Sequence, residues 1–329
     1  MEGPEPGQSS RHLGLDFGVT NIKWAVAERS GGQWRILDRG QLPTPAGGQP
    51  GAVVQRLIDV GREAIDRDPM ITSVGLGVPG LYDPVTGVTR FLVNMPGGWH
   101  GVPVAGPLRE ALRLPTALIN DARAFGLAEL RLGAARGASS MIGLTLGTGV
   151  GGVIAVGGRV HQGHDGTGGE IGHQTIDPDG PWCGCGNRGC LEAFARADQI
   201  AIACGTATAE EAVTRARAGD ARAVDGLAQI GRYLGIGIAN MIAVISPDKV
   251  VLGGGVAAAA DLLLEPIRAE LRRRVFVTSL EQVDIVTAEL GTWAGAMGAA
   301  IHGAEAAEAV APAAAGTGDT EPVGASAAR

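Results

Sequence analysis

The chain is short of cysteine, has no visible secretory leader and contains no long unbroken apolar run. Four cysteines in 329 residues cannot make a dense disulfide framework, and a chain of this length can bury two cores without one. The opening stretch MEGPEPGQSSRH has no basic region followed by an apolar core, so no signal peptide is expected. The longest apolar runs, such as MIGLTLGTGVGGVIAVGG, are broken by glycine too often to suggest a bilayer-spanning helix. Basic charge is also in deficit, with 27 Lys plus Arg against 34 Asp plus Glu and a formal net charge of -7. That balance argues against a general binder of nucleic-acid backbone and favours small-molecule partners. The expectation is a cytoplasmic protein with neither membrane nor nucleic acid as partner.

What is present is ordinary globular composition, 45% hydrophobic and 19% charged. Residues 1–11 and 306–329 are rich in Ala, Pro and Gly without a usable apolar period, and are expected to be disordered. Between them, HLGLDFGVTNIKWAVAE alternates about a turn and predicts a β-hairpin, with WRILDRGQLPTP as a third strand. AVVQRLIDVGREAIDR has helical spacing, with Val54, Leu57, Ile58 and Ile65 on one side. SVGLGVPG reads as a short buried strand, and ALINDARAFGLAELRLG as a strand running into a helix at Asp121. The pattern restarts at SSMIGLTLGTGVGGVIAVGGRV and continues through a long helical stretch, the strand KVVLGGGV, the helix LLLEPIRAELRR and the strand VDIVTAEL. Two strand-rich openings, each followed by α/β units, predict two similar α/β domains facing one another across a ligand cleft.

Three glycine-rich turns could hold phosphate: DFGVTNIK, LGTGVGG and LGGGV. Glycine lets backbone N–H groups approach an anion closely, although each turn alone would serve equally as a tight hairpin. None is a Walker A loop or a complete Rossmann fingerprint. Asp121 sits between a hydrophobic strand and a helix, where a carboxylate either caps the helix or accepts a proton from a substrate hydroxyl. The segment GGEIGHQTIDPDGPWCGCGNRGCLE gathers Glu170, His173, Cys183, Cys185, Cys190 and Glu192. One histidine and three cysteines suffice for tetrahedral zinc, and the C-x-C-x4-C spacing is unlike a CxxC redox centre, with inert thiols as the remaining alternative. Four protein ligands would leave no open position, so the metal's role would be structural. Cys204 reads as a small buried hydrophobe.

Taken in order, DFGVTNIK, GLGVPG, IND, LGTGVGG, GGEIGH, CGCGNRGCLE and LGGGV resemble the ROK family of bacterial sugar kinases over roughly residues 12–303. The resemblance implies the two-domain actin-like fold of hexokinases, of ribonuclease H-like type, and transfer of the γ-phosphate of ATP to a hexose, usually at the 6-hydroxyl. It implies ATP, Mg2+ and a structural Zn2+ held by His173, Cys183, Cys185 and Cys190. Asp121 then resembles the catalytic base, with Asn94, Asn120, Asp121, Glu170, His173 and Glu192 on the sugar. Asp16, Gly18, Thr20 and Lys23 resemble one phosphate-facing hairpin, and Gly147, Thr148, Gly149 and Gly151 the other. Gly254 and Gly255 resemble the nucleotide-side turn. The implied division is a small domain, 12–120 completed by a C-terminal helix 292–305, and a large domain, 121–291, with the zinc loop.

Two motifs depart from the family pattern. The opening turn reads GVTN where GGTK is usual, with Lys23 further on, and GGE replaces AGE before His173. Glucose is the expected acceptor, with N-acetylglucosamine, N-acetylmannosamine, fructose, allose or a sugar-like cyclitol as alternatives. ROK repressors share this body behind an added DNA-binding domain, and the residues before Asp16 are too few for one, so a kinase is expected rather than a regulator. A homodimer is implied by the resemblance.

Overall fold

The computed structural model describes residues 9–92, 95–255 and 259–310. Asn94 lies outside the described residues. Strands β1 (Ser10–Phe17), β2 (Asn21–Ser30) and β3 (Gln33–Pro43) form the antiparallel meander that the alternation predicts. Helix α1 (Pro50–Arg67) crosses to β4 (Ile71–Val78), and β5 (Leu81–Tyr82) and β6 (Thr89–Phe91) make a small separate hairpin. Helix α2 (Ala105–Leu112) then crosses to β7 (Thr116–Asn120), giving the sheet order β3-β2-β1-β4-β7 with β1, β4 and β7 parallel.

Helix α3 (Asp121–Arg131) leads into a second sheet made by β8 (Ser140–Leu146), β9 (Val150–Val156) and β10 (Arg159–Val160). Short helices α4 (Glu192–Ala195), α5 (Ala197–Cys204) and α6 (Ala209–Arg217) precede the long α7 (Ala221–Ile245). Strand β11 (Lys249–Gly253), helix α8 (Ala260–Arg274), strand β12 (Asp284–Thr287) and helix α9 (Ala294–Val310) complete the chain. The second sheet runs β10-β9-β8-β11-β12, again an antiparallel meander extended by parallel strands. The repeated topology gives two α/β halves about a cleft.

Each half has its own core. Leu13, Leu15, Leu57, Leu76 and Leu108 fill the first, and Leu144, Leu234, Ile238, Leu252 and Leu263 the second. On α1 the deepest residues include Val53 and Val60, while Val54 and Ile65 are only partly buried, so the apolar stripe is rotated by about one residue from the expected one. Helix α7 is long and apolar enough, by length and composition, to cross a membrane. Here Leu227, Ile230, Leu234, Ile238 and Ile242 pack into the second core, which accounts for that apolarity.

Part of each end expected to be disordered is regular structure. Ser10 and Arg11 belong to β1, and α9 continues through Val310. Alanine is the strongest helix former, so AEAAEAV extends the helix, and Arg29 Nη1 anchors it by donating to Glu308. The remaining tail residues lie outside the described ones.

Helix α9 lies against both β1 and β4 on one side and α3 on the other. Its approach requires glycine: a Cβ on Gly14 would overlap the Ala296 carbonyl oxygen, one on Gly75 the Ala299 oxygen, and one on Gly298 the Ala124 oxygen of α3. Backbone cannot yield as a flexible side chain can, so Gly75→Ala should cost about 1–3 kcal/mol. Thermal melting should register a Tm lower by roughly 2–4 °C per kcal/mol; an unchanged Tm would show that the helix shifts without cost.

Candidate active site

A cavity of about 460 Å³ lies between the two sheets. The β1–β2 turn brings it Asp16, Gly18, Thr20 and Lys23, and the β8–β9 turn Gly147, Thr148, Gly149 and Gly151. Gly254 and Gly255, just after β11, line it on the hairpin side. Gly254 has φ +92°, a left-handed value that glycine adopts without strain, and a Cβ there would overlap Leu146 backbone. Asn120, Asp121, Glu170, His173 and Glu192 line the other side. Every described residue that the sequence pointed to for sugar or phosphate therefore faces one cavity.

Two of them also hold the hairpins in place. Lys23 Nζ donates to the Thr292 carbonyl at 2.9 Å, which ties the first hairpin to the segment entering α9. Glu192 Oε2 accepts the Val150 N–H at 3.0 Å, so this carboxylate also braces the second hairpin.

Asp121 is not the helix cap. Asn120 fills that place: its Oδ1 accepts the Arg123 N–H at 3.2 Å, and its Nδ2 donates to Asp121 Oδ1 at 3.1 Å and to the Gly80 carbonyl at 3.3 Å. The Ala122 N–H also donates to Asp121 Oδ1, at 2.8 Å. Asp121 is thus oriented by its neighbours and keeps an open edge to the cleft. Burial, then the charge of Asp16, pushes its carboxyl up to about 7, against the opposing Ala122 hydrogen bond. Asp16 is itself pushed up to about 6 by burial, partly offset by Lys23. Asp121 retains exposed surface toward the cleft while protein packs around it elsewhere, so water in an open cleft moderates this push.

One buried charge beside the cavity escaped the sequence reading. Arg123, 1% exposed, donates from Nη2 to Glu170 Oε1 at 3.0 Å and from Nε to the Gly168 carbonyl at 2.8 Å. Its signal in the sequence is a lone charge among Ala122, Ala124, Phe125, Leu127 and Ala128, all of them buried.

Beside the cavity, ligand atoms of His173, Cys183, Cys185 and Cys190 lie within 4.8 Å of one another. Around tetrahedral zinc, with bonds of about 2.3 Å to sulfur and 2.0 Å to nitrogen, ligand sulfurs sit about 3.8 Å apart and sulfur and nitrogen about 3.5 Å. Cys185 Sγ and Cys190 Sγ are 3.7 Å apart, and Cys183 Sγ is 3.6 Å from His173 Nδ1. The spacing fits the metal and is far too long for a disulfide. With Nδ1 turned to the thiols, Nε2 is the nitrogen left for the cleft that His173 lines. Cys204 is buried and separate, as expected of a small hydrophobe.

A family model described as ROK family matches residues 12–305. The chain belongs to the ROK family. Among its ROK relatives, a glucokinase of Halalkalibacterium halodurans is 34% identical over 313 residues, 87% of this chain and 93% of its own. A ROK hexokinase from Thermus thermophilus superposes with a TM-score of 0.80 at 37% identity, over 91% of this chain and 99% of that one. A ROK glucokinase from Streptomyces griseus, solved in complex with glucose and AMPPNP, gives 0.76 at 29%, over 90% and 100%. The paired meanders, the cleft and the four-ligand cluster of this ROK chain are thus set in a frame of known architecture.

Proposed function

We propose that this protein is a glucokinase, transferring the γ-phosphate of ATP to the 6-hydroxyl of glucose. The coarser statement, an ATP-dependent ROK sugar kinase, rests on family membership and on likeness to glucokinases and a hexokinase. One observation carries the chemistry: Asp121 opens onto the cavity that both glycine hairpins line, while Asn120 does the capping.

Phosphoryl transfer depends chiefly on positioning and charge stabilisation. The N–H groups of the two hairpins, with Thr20 and Thr148, hold the triphosphate. Mg2+ bound with ATP supplies neutralising charge, and Asp16 is the carboxylate on the phosphate side placed to hold it. Asp121 orients the acceptor hydroxyl and takes its proton. Asn120, Glu170, His173 and Glu192, with Asn94, bind the ring through hydrogen bonds, and zinc on His173, Cys183, Cys185 and Cys190 would fix the loop flanked by Glu170, His173 and Glu192.

The same proposal includes lobes 12–120 with 292–305 and 121–291, closing about the α3–α9 contact to exclude water. A homodimer and a cytoplasmic setting belong to it as well.

Glucose specificity is tested by kcat/KM for glucose, N-acetylglucosamine, N-acetylmannosamine, fructose, allose and a cyclitol at saturating ATP and Mg2+, with NMR identification of the product. Glucose 6-phosphate from the most efficient acceptor is the expected result. A site built around a ring hydroxyl rejects an acetamido group through overlap and unpaired polar atoms. Higher efficiency with an acetamido sugar or a cyclitol overturns the glucose assignment and leaves the kinase standing.

A further inference from the structure

The first turn of α3 carries a charge where its neighbours are apolar. A buried guanidinium is costly unless its donors are satisfied, and the partners of Arg123 both come from the segment before the zinc knot: Gly168 and Glu170. The side chain of Arg123 is 2% exposed and that of Glu170 37%. Arg123 does not line the cleft, whereas Glu170 does. The guanidinium engages Oε1 of Glu170, and Oε2 has no partner among the described residues.

The backbone of Arg123 is held in turn by Asn120, the residue that also orients Asp121. One helical turn therefore fixes the proton acceptor on one side and, through Arg123, a ring-binding carboxylate on the other. Lysine could not substitute, because a single ammonium lacks the planar fork that reaches a carbonyl and a carboxylate together.

We infer that Arg123 is a positioning residue for the sugar: it clamps Glu170 and the Gly168 carbonyl so that the free Glu170 oxygen meets a ring hydroxyl, and it touches no substrate. This rests on the proposed sugar-kinase function. It requires that Arg123 act through Glu170, on acceptor binding, with little effect on ATP.

A double-mutant cycle tests it. Glucose Kd without nucleotide is measured by calorimetry for wild type, Arg123→Gln, Glu170→Gln and the double variant, together with KM for glucose and ATP. Each single change should weaken glucose binding roughly 10- to 100-fold, as for loss of a charge-assisted hydrogen bond. The double variant should be no weaker than the worse single one, because the two residues form one device. ATP KM should stay within about 2-fold and zinc content at the wild-type level, the sign that the loop is otherwise intact. Arg123→Lys should recover only part of the affinity.

Losses that multiply, an ATP KM that rises with glucose KM, or full function in Arg123→Lys would each overturn the inference. If Arg123→Gln does not fold, the cycle is run with Arg123→Lys, which keeps the buried charge, and is judged by the same additivity. Failure of the sugar-kinase reading is distinguishable: a wild-type chain that binds no glucose and releases no ADP with any acceptor on the panel overturns both, whereas multiplied losses on measurable glucose binding overturn this inference alone.

Discussion

Asp121→Asn should lower turnover on the order of 10²-fold or more while leaving sugar binding measurable, since it removes general-base catalysis. The amide keeps an oxygen to accept the Ala122 N–H and the Asn120 amide, so the geometry is conserved and only basicity is lost. Steady-state kinetics and glucose calorimetry separate the two effects, and near-wild-type turnover would end the base assignment.

The pH dependence of the wild type belongs to the same argument. Asp121 accepts a proton only when ionised, and its carboxyl is pushed up to about 7 by burial and then by Asp16. Activity should therefore fall as the pH drops through neutrality, well above the usual carboxylate range. Because Asp16 is raised as well, to about 6, the two carboxyls titrate as a pair. The sign for stability is opposite. A carboxyl raised on folding contributes stability below its unfolded value, and that contribution is lost as pH rises through the folded value. Above pH 7 the neutral asparagine escapes this cost, so Asp121→Asn should melt no lower than wild type. An inactive but equally stable variant ties the loss to chemistry rather than to unfolding.

How far such a site can be read in advance depends on how local its physics is. The His–Cys cluster was legible because Cys183, Cys185 and Cys190 lie within eight positions and His173 shortly before them, and the paired meanders because strand alternation is a short-range signal. Asp121 was ambiguous because capping and proton acceptance both favour an acid at a strand-to-helix junction. The Arg123 N–H turns to Asn120, which takes capping from Asp121 and leaves proton acceptance as its proposed role. Arg123 was legible only as a charge among apolar neighbours, since its partners are 45 and 47 residues away. Helix α9 was read as ending early for a related reason: it is packed between a sheet and α3, so its Ala and Gly residues show little amphipathic contrast. Its limits were set by tertiary contact rather than by pattern.

Cys185→Ser should abolish stoichiometric zinc and carry much of the sugar affinity away with it. Wild-type protein prepared in metal-free buffer is expected to contain about one zinc per chain by elemental analysis, as one closed four-ligand site requires. Cys185 is the ligand of choice because it is exposed while Cys183 and Cys190 are buried, so its replacement disturbs the least packing. The knuckle itself is partly prefolded: the Cys183 N–H donates to the Asn187 carbonyl at 2.8 Å and the Gly186 N–H to the Cys183 carbonyl at 3.0 Å. Those bonds do not reach His173, whose Nδ1 lies 3.6 Å from Cys183 Sγ, and a metal held between them would couple its binding to the folding of the loop. Residues 174–191 should therefore exchange amide hydrogens faster in the variant. Glucose KM should rise more than ATP KM, because Glu170, His173 and Glu192 flank this loop whereas the glycine hairpins belong to their own sheets, the second with one added brace from Glu192. A drop in glucose kcat/KM of about 10-fold or more is expected, with two charge-assisted contacts to the ring loosened at once. Near-zero zinc in a fully active wild-type preparation would remove the structural metal from the account, and a variant that lost zinc yet kept its glucose KM would show that the loop holds its shape without it.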